Sequence, residues 1–280
     1  MTKANKDLAR LKESVQGIFD PGPYEMVADF DAKSGQHTVR AHRTADLPLI
    51  EWGTWIGGIA HDLRSALNYI ITALVGGKST RQHEFPIFED ADLYFERDRR
   101  GRPTYRSGLS KIDGVGESAA AFIESLQPYH GINKPPHMPP DTITSSALWA
   151  LHELNRVDKH QDLIVPVPIV QRVNIEHSTD VTIHEYIAPG PLEDNSVLFR
   201  MSVKVPRANE GVLVSMSIPR ATGGLTITPS PNVYVPVKAH FAFDVAFTEN
   251  GPTKGGFVVD SLTQILSKIV TTIDAFDRFF

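Results

Sequence analysis

Two stretches of the chain carry side chains able to do acid–base or ionic chemistry at helical spacing. The first is His61-Asp62-Leu63-Arg64-Ser65-Ala66-Leu67-Asn68. Arg64, Ser65 and Asn68 stand three, four and seven positions after His61, which puts the four on one helical face. The second is His152-Glu153-Leu154-Asn155-Arg156-Val157-Asp158-Lys159-His160. On a helix, Asp158 falls between Leu151 and Leu154 on the apolar side, with Asn155 at its edge. A carboxylate turned toward a core needs a partner. Arg64 is the expected one, because a guanidinium fork matches a carboxylate. The two stretches are therefore expected to be neighbours.

Histidine titrates near neutral pH and arginine neutralises phosphate, so together they could cleave RNA without a metal. In that reading His160 is the general acid or base, Arg156 holds the phosphate, and His61 and Arg64 support them. Asn155, Asp158, Asn68 and Lys159 complete the binding or structural network. RNA cleavage is the leading reading; the alternative is one without chemistry, in which a polar network ties two helices together in a ligand-binding or assembly protein.

Other chemistries lack their residues. With no cysteine, thiolate zinc sites, disulfides and cysteine nucleophiles are excluded. His152-Glu153 is not followed by a second histidine at the spacing of a zinc protease helix. His61, Asp158 and His160 are of metal-binding types but nothing in their spacing demands a metal, so a metal hydrolase is the third reading and no metal or cofactor is assigned. Neither a Gly-x-Ser-x-Gly elbow nor a complete phosphate-binding glycine loop is present, and Gly76-Gly77-Lys78-Ser79 resembles only the tail of such a loop.

The elements that must position these residues follow from periodicity. Leu8, Leu11, Val15 and Ile18 predict a helix over about 4–19, stopped by Asp20-Pro21-Gly22-Pro23. Tyr24–Asp31 and His37–Arg43 predict a hairpin around Lys33-Ser34-Gly35. From Leu49 to Val75 a stripe of Trp52, Ile56, Ile59, Leu63, Leu67, Ile70 and Leu74 predicts a long helix. Gly53, Gly57 and Gly58 would there mark either a close approach or a break. Ser118–Tyr129 predicts a shorter helix, Pro135-Pro136 and Pro139-Pro140 a stiff linker, and Thr144–His160 the second motif helix. Strands are predicted over Leu163–Val173, Val181–Ile187, Val197–Val205, Val212–Ile218, Leu225–Thr228 and Phe241–Phe247. Pro166 and Pro168 belong at an edge or bulge. Asp260–Phe280 predicts a closing amphipathic helix.

The fold class read from this order is α+β. A helical core with a small hairpin over 1–162 precedes an antiparallel β-rich part over 163–280, on which the C-terminal helix is expected to pack. The chain has 280 residues, 41% of them hydrophobic, and a formal net charge of -5. No global basic field attracts polyanions. The N-terminus lacks the apolar run of a signal peptide, and Leu67–Val75 is too short to span a bilayer. The expectation is a cytoplasmic protein without a membrane partner, with RNA as the candidate partner and homo-oligomerisation compatible.

The motif residues, with Glu84-Phe85-Pro86-Ile87-Phe88 and Leu126-Gln127-Pro128-Tyr129, resemble a set of uncharacterised bacterial proteins. Those usually read His-Asn-Leu-Arg-Ser-Ala-Leu-Asp and Asn-x-x-Asp-Lys-His-Arg. This chain has Asp62, Asn68 and Gln161 at the three departing positions. A looser resemblance is to HEPN-type helical proteins, many of which are ribonucleases. It rests on Asn155-Arg156 followed by His160, with three residues between arginine and histidine where that motif has four to six. The resemblance implies RNA processing at Arg156 and His160.

Overall fold

A computed structural model of the chain describes residues 2–19, 22–132, 142–160, 164–177, 179–203, 214–218, 221–226, 237–248 and 256–280. In chain order the elements are α1 (Thr2–Ile18), β1 (Tyr24–Asp31), β2 (Gln36–Arg43), α2 (Leu49–Leu74), α3 (Ala91–Tyr94), α4 (Gly108–Lys111), α5 (Glu117–Ser125) and α6 (Tyr129–Ile132). There follow α7 (Thr142–His160), β3 (Val167–His177), β4 (Val181–Tyr186), β5 (Gly190–Pro191), β6 (Ser196–Val203), β7 (Val214–Ile218), β8 (Ala221–Thr226), β9 (Val237–Ala246) and α8 (Val258–Asp274). A 3-10 turn over Asp277–Phe279 ends the chain. The fold is α+β. Among the described residues no helix is long and apolar enough to cross a membrane. The proline linker lies outside the described residues.

The chain divides into two compact units. One is helical and gathers Met1–Arg10, Ile50–Val165 and Glu249–Phe280; the other holds Leu11–Leu49 and Pro166–Thr248. The sequence-based division after residue 162 therefore differs from the observed one at both ends. The hairpin groups with the later strands because β2 pairs with β6, from Gln36↔Ser202 to Ala41↔Ser196. The C-terminal helix groups with the helical unit rather than the strands.

In the β unit, one sheet has the order β1-β2-β6-β4 and the other β5-β3-β9-β7-β8. Alternation puts Val39, Ala41, Phe199 and Met201 inside the first sheet and Val170, Ala239, Phe241 and Val245 inside the second. Phe199 and Phe241 stack with centroids 6.3 Å apart, and Phe19 and Tyr24 flank Phe243. The pairings are antiparallel except β7 with β9, which run parallel. Pro166 precedes β3 and Pro168 is its second residue, beside a bulge at Val170/Arg172. Pro168 stands opposite Val245 in a strand with neighbours on both sides, so it lies inside the ladder near its start rather than at a sheet edge.

In the helical unit α2 runs unbroken through its glycines for 26 residues. Trp52, Ile56, Ile59, Leu63, Leu67 and Ile71 are fully buried along one stripe, as the period required. Helix α7 contributes Leu148, Leu151 and Leu154, and packs against α8, which buries Leu262, Ile265 and Ile269. Just past α8, Phe276 is wholly buried, with edge-on contacts to Phe85 at 6.2 Å and Phe122 at 5.0 Å. Those aromatic partners are the physical reason the C-terminal segment belongs here. Phe276→Ala should cost about 3–5 kcal/mol, as large aromatic deletions in cores do. Arg278→Ala, which removes only an exposed cation stacked 4.3 Å over the Phe122 ring, should cost less than about 1 kcal/mol. Urea denaturation of the two variants measures the contrast, and equal losses would contradict this packing.

Candidate functional site

The centre of the helical unit is an irregular segment, Glu84-Phe85-Pro86-Ile87-Phe88. Phe85, Pro86 and Ile87 are buried, yet the segment lies in no helix or sheet that could take up its backbone hydrogen bonds. Such groups need partners from elsewhere. Asn68, on α2, accepts from the Phe85 N–H at 3.0 Å through Oδ1. Gln127, fully buried after α5, accepts from the Phe88 N–H at 3.0 Å and donates through Nε2 to the carbonyls of Pro86 and Ile123, at 3.0 and 2.9 Å. The three motif strings containing Asn68, residues 84–88 and Gln127 are therefore one interlocked structure.

The first residue of the segment organises the charges. Glu84 Oε2 lies 3.6 Å from Arg64 Nη2, and its Oε1 accepts a short hydrogen bond from the Lys111 ammonium at the end of α4. Arg64 is buried, with its side chain only 7% exposed. Burial pushes its pKa down to about 10. Its Nη1 is buried with no hydrogen-bond partner. Burial and the nearby Arg64 charge also push the Lys111 ammonium down, against the pull of the carboxylate it contacts.

Helix α7 brings His152 into the same field. Its pKa is held below the ordinary 6.5, first by burial and then by the Arg64 charge, with Lys111 and Arg156 adding to the effect and Glu153 opposing it. His152 Nδ1 and, one turn further along, Asn155 Oδ1 are buried and unpaired, as Arg64 Nη1 is. Buried polar atoms left without a partner are costly, so these three are places where the unit gives up stability.

The sequence-derived candidates are distributed as follows. Arg64 and Asn68 turn inward onto residues 84–88, and Asn155 is buried on α7. His61 is exposed, and its neighbour Asp62 takes the Lys3 ammonium of α1 at 2.7 Å. Asp158 was expected to face the core and pair with Arg64. It is exposed instead, and its carboxylate rests on the backbone of Gly57, where an added methyl group would collide with it. Gly57 lies two helical turns from Arg64, about 10 Å along α2, so the short aspartate meets the glycine and the arginine takes Glu84. Arg156 is exposed and donates to Glu153 through Nε at 3.0 Å and Nη2 at 2.6 Å. The side chains of Lys159 and His160 lie outside the described residues. Sequence reasoning did not place Glu84, Lys111, His152 or Gln127 in the site. Glu84 and Gln127 do stand in the short motif strings, but outside any periodic pattern.

In front of Glu84 and Lys111 a cleft of about 160 Å³ opens, lined also by Arg81, Gln82, Tyr105 and Arg106. Among the described residues no three histidine, aspartate or glutamate side chains group as metal ligands would. Comparison of the chain with models of known families, with curated proteins and with solved structures found no match.

Two outcomes test this geometry. Gln127→Met keeps the volume but strands the Pro86 carbonyl and the Phe88 N–H, while the Ile123 carbonyl keeps the Leu126 N–H, so it should destabilise the unit by roughly 2–4 kcal/mol in chemical denaturation. His152 gives a pH signature. Its folded-state pKa lies below its unfolded value, so the unfolded chain binds more protons once pH falls below 6.5. Stability should be unaffected by His152 above that pH and decline through the window below it. His152→Gln should flatten that part of the acid limb; an unchanged limb would remove His152 from the buried cluster.

Proposed function

We propose that the protein binds a small polar ligand without transforming it, and that its motif side chains build and hold the binding surface. What supports this reading is the way Arg64 and Asn68 are used. Both spend their polar groups on the segment 84–88 rather than on solvent, and Glu84 of that segment lines the open cleft. A cleft whose lining is anchored to hydrogen-bonded backbone suits binding, since little ordering remains to be done on association.

The competing reading is metal-independent RNA cleavage at Arg156 and His160, with RNA as partner. In it, Arg156 must release the Glu153 carboxylate before it can stabilise a phosphate. The net charge of -5 further opposes a polyanion. Incubating the purified protein with a mixed RNA panel, with and without chelator, separates the two. No cleavage is expected. Cleavage that persists in chelator and vanishes in His160→Ala, with the melting temperature unchanged, would replace ligand binding by catalysis.

A further inference from the structure

We infer that the cleft formed by Arg81, Arg106, Tyr105 and Lys111 in the helical unit is a site for a phosphate monoester, the phosphate entering between the two guanidinium groups and the lysine. The inference rests on the ligand-binding reading and gives that ligand its chemical class. It comes from the balance of charge around one carboxylate. Glu84 is the only acidic side chain lining the cleft, and it is shared by Lys111 and by Arg64 behind it. Arg81 and Arg106 line the same cleft, and among the described residues neither has an acidic partner within salt-bridge distance. Three cations and one carboxylate thus line the cleft, with Arg64 behind that carboxylate, on a chain whose net charge is -5. A local excess of this sign concentrates anions at the cleft.

The chemistry of the lining selects among anions. A carboxylate carries one charge and two oxygens, which a single arginine fork satisfies. Two guanidinium groups and an ammonium offer more donors and more charge than that, and a dianionic phosphoryl group, with three terminal oxygens, takes them up. Gln82 adds an amide at the rim. Tyr105 is 73% exposed there, so its ring is free to lie against whatever the phosphate is esterified to. The volume of about 160 Å³ receives one such group. A polynucleotide would instead need cations and aromatic rings repeated along a track. In the basic turn after α3, two of the four arginines are held within the turn: Arg102 binds Asp98 at 2.8 Å, and Arg97 donates to the Gly101 carbonyl at 2.9 Å.

The test is calorimetric titration of the full chain at constant ionic strength with phenyl phosphate, inorganic phosphate and benzoate. Phenyl phosphate should bind saturably at pH 7.5, and benzoate at least about tenfold more weakly. Affinity should fall as the second phosphate proton returns near pH 6. Arg81→Gln with Arg106→Gln should weaken phenyl phosphate by about tenfold or more with the melting temperature preserved, since both side chains are exposed. Arg99→Gln, in the neighbouring turn, should leave it unchanged. No saturation, equal binding of benzoate, or indifference to the double substitution would overturn the site. Tighter binding of a short RNA lacking terminal phosphates, lost in the same double variant, would also overturn it in favour of a nucleic-acid partner. RNA cleavage is read in a separate assay, so a failed titration without cleavage removes the phosphate ester alone and leaves the ligand-binding reading standing.

Discussion

A buried stretch of backbone without regular structure is expensive unless every polar group in it is met, and residues 84–88 impose that condition on the helical unit. Asn68 meets the condition from α2 and Gln127 from beyond α5. Because each side chain bonds main-chain atoms, the geometry is specified by the backbone rather than by adaptable surfaces. The aromatic packing of Phe85 on Phe276 then ties the C-terminal segment to the same point. Sequence positions from 68 to 276 are thus gathered by one small piece of chain.

The same segment sets the electrostatics. By carrying Glu84 to Arg64 and Lys111, it gives two half-compatible cations a shared counter-ion, yet one carboxylate does not neutralise both. Burial of Arg64 makes this imbalance felt at a distance, because little solvent intervenes to screen it. Burial is the first cause of the depressed protonation of His152 and Lys111, and the Arg64 charge lowers both further. The proposed function and the proposed phosphate site both draw on that excess of positive charge at the open cleft, where Glu84 stands with Arg64 behind it.

Gly57 illustrates how a neighbour can redirect a charge. Without a side chain at that position, the Asp158 carboxylate settles on the α2 backbone, two turns from Arg64. The arginine is left to Glu84. A propensity cost of about 1 kcal/mol for glycine within a helix is offset here by the close approach it permits.

The sequence by itself determined the local elements. Apolar residues recurring at helical spacing located α2, α7 and α8, alternation located the hairpin and most later strands, and the order of elements gave the α+β class. It also singled out Arg64, Asn68 and Asn155 as polar residues in unusually apolar company. Only the tertiary structure decided what they meet. Helical period fixes which residues share a face but carries no information about the element opposite, so Arg64 was assigned Asp158 when its partner is Glu84. Gln127, Lys111 and Glu84 sit at helix ends and in irregular backbone, where no period marks them. The same gap explains the grouping of α8. Its amphipathic face demands burial, but a hydrophobic stripe is non-directional, and the aromatic partners of Phe276 are set by how the distant chain folds.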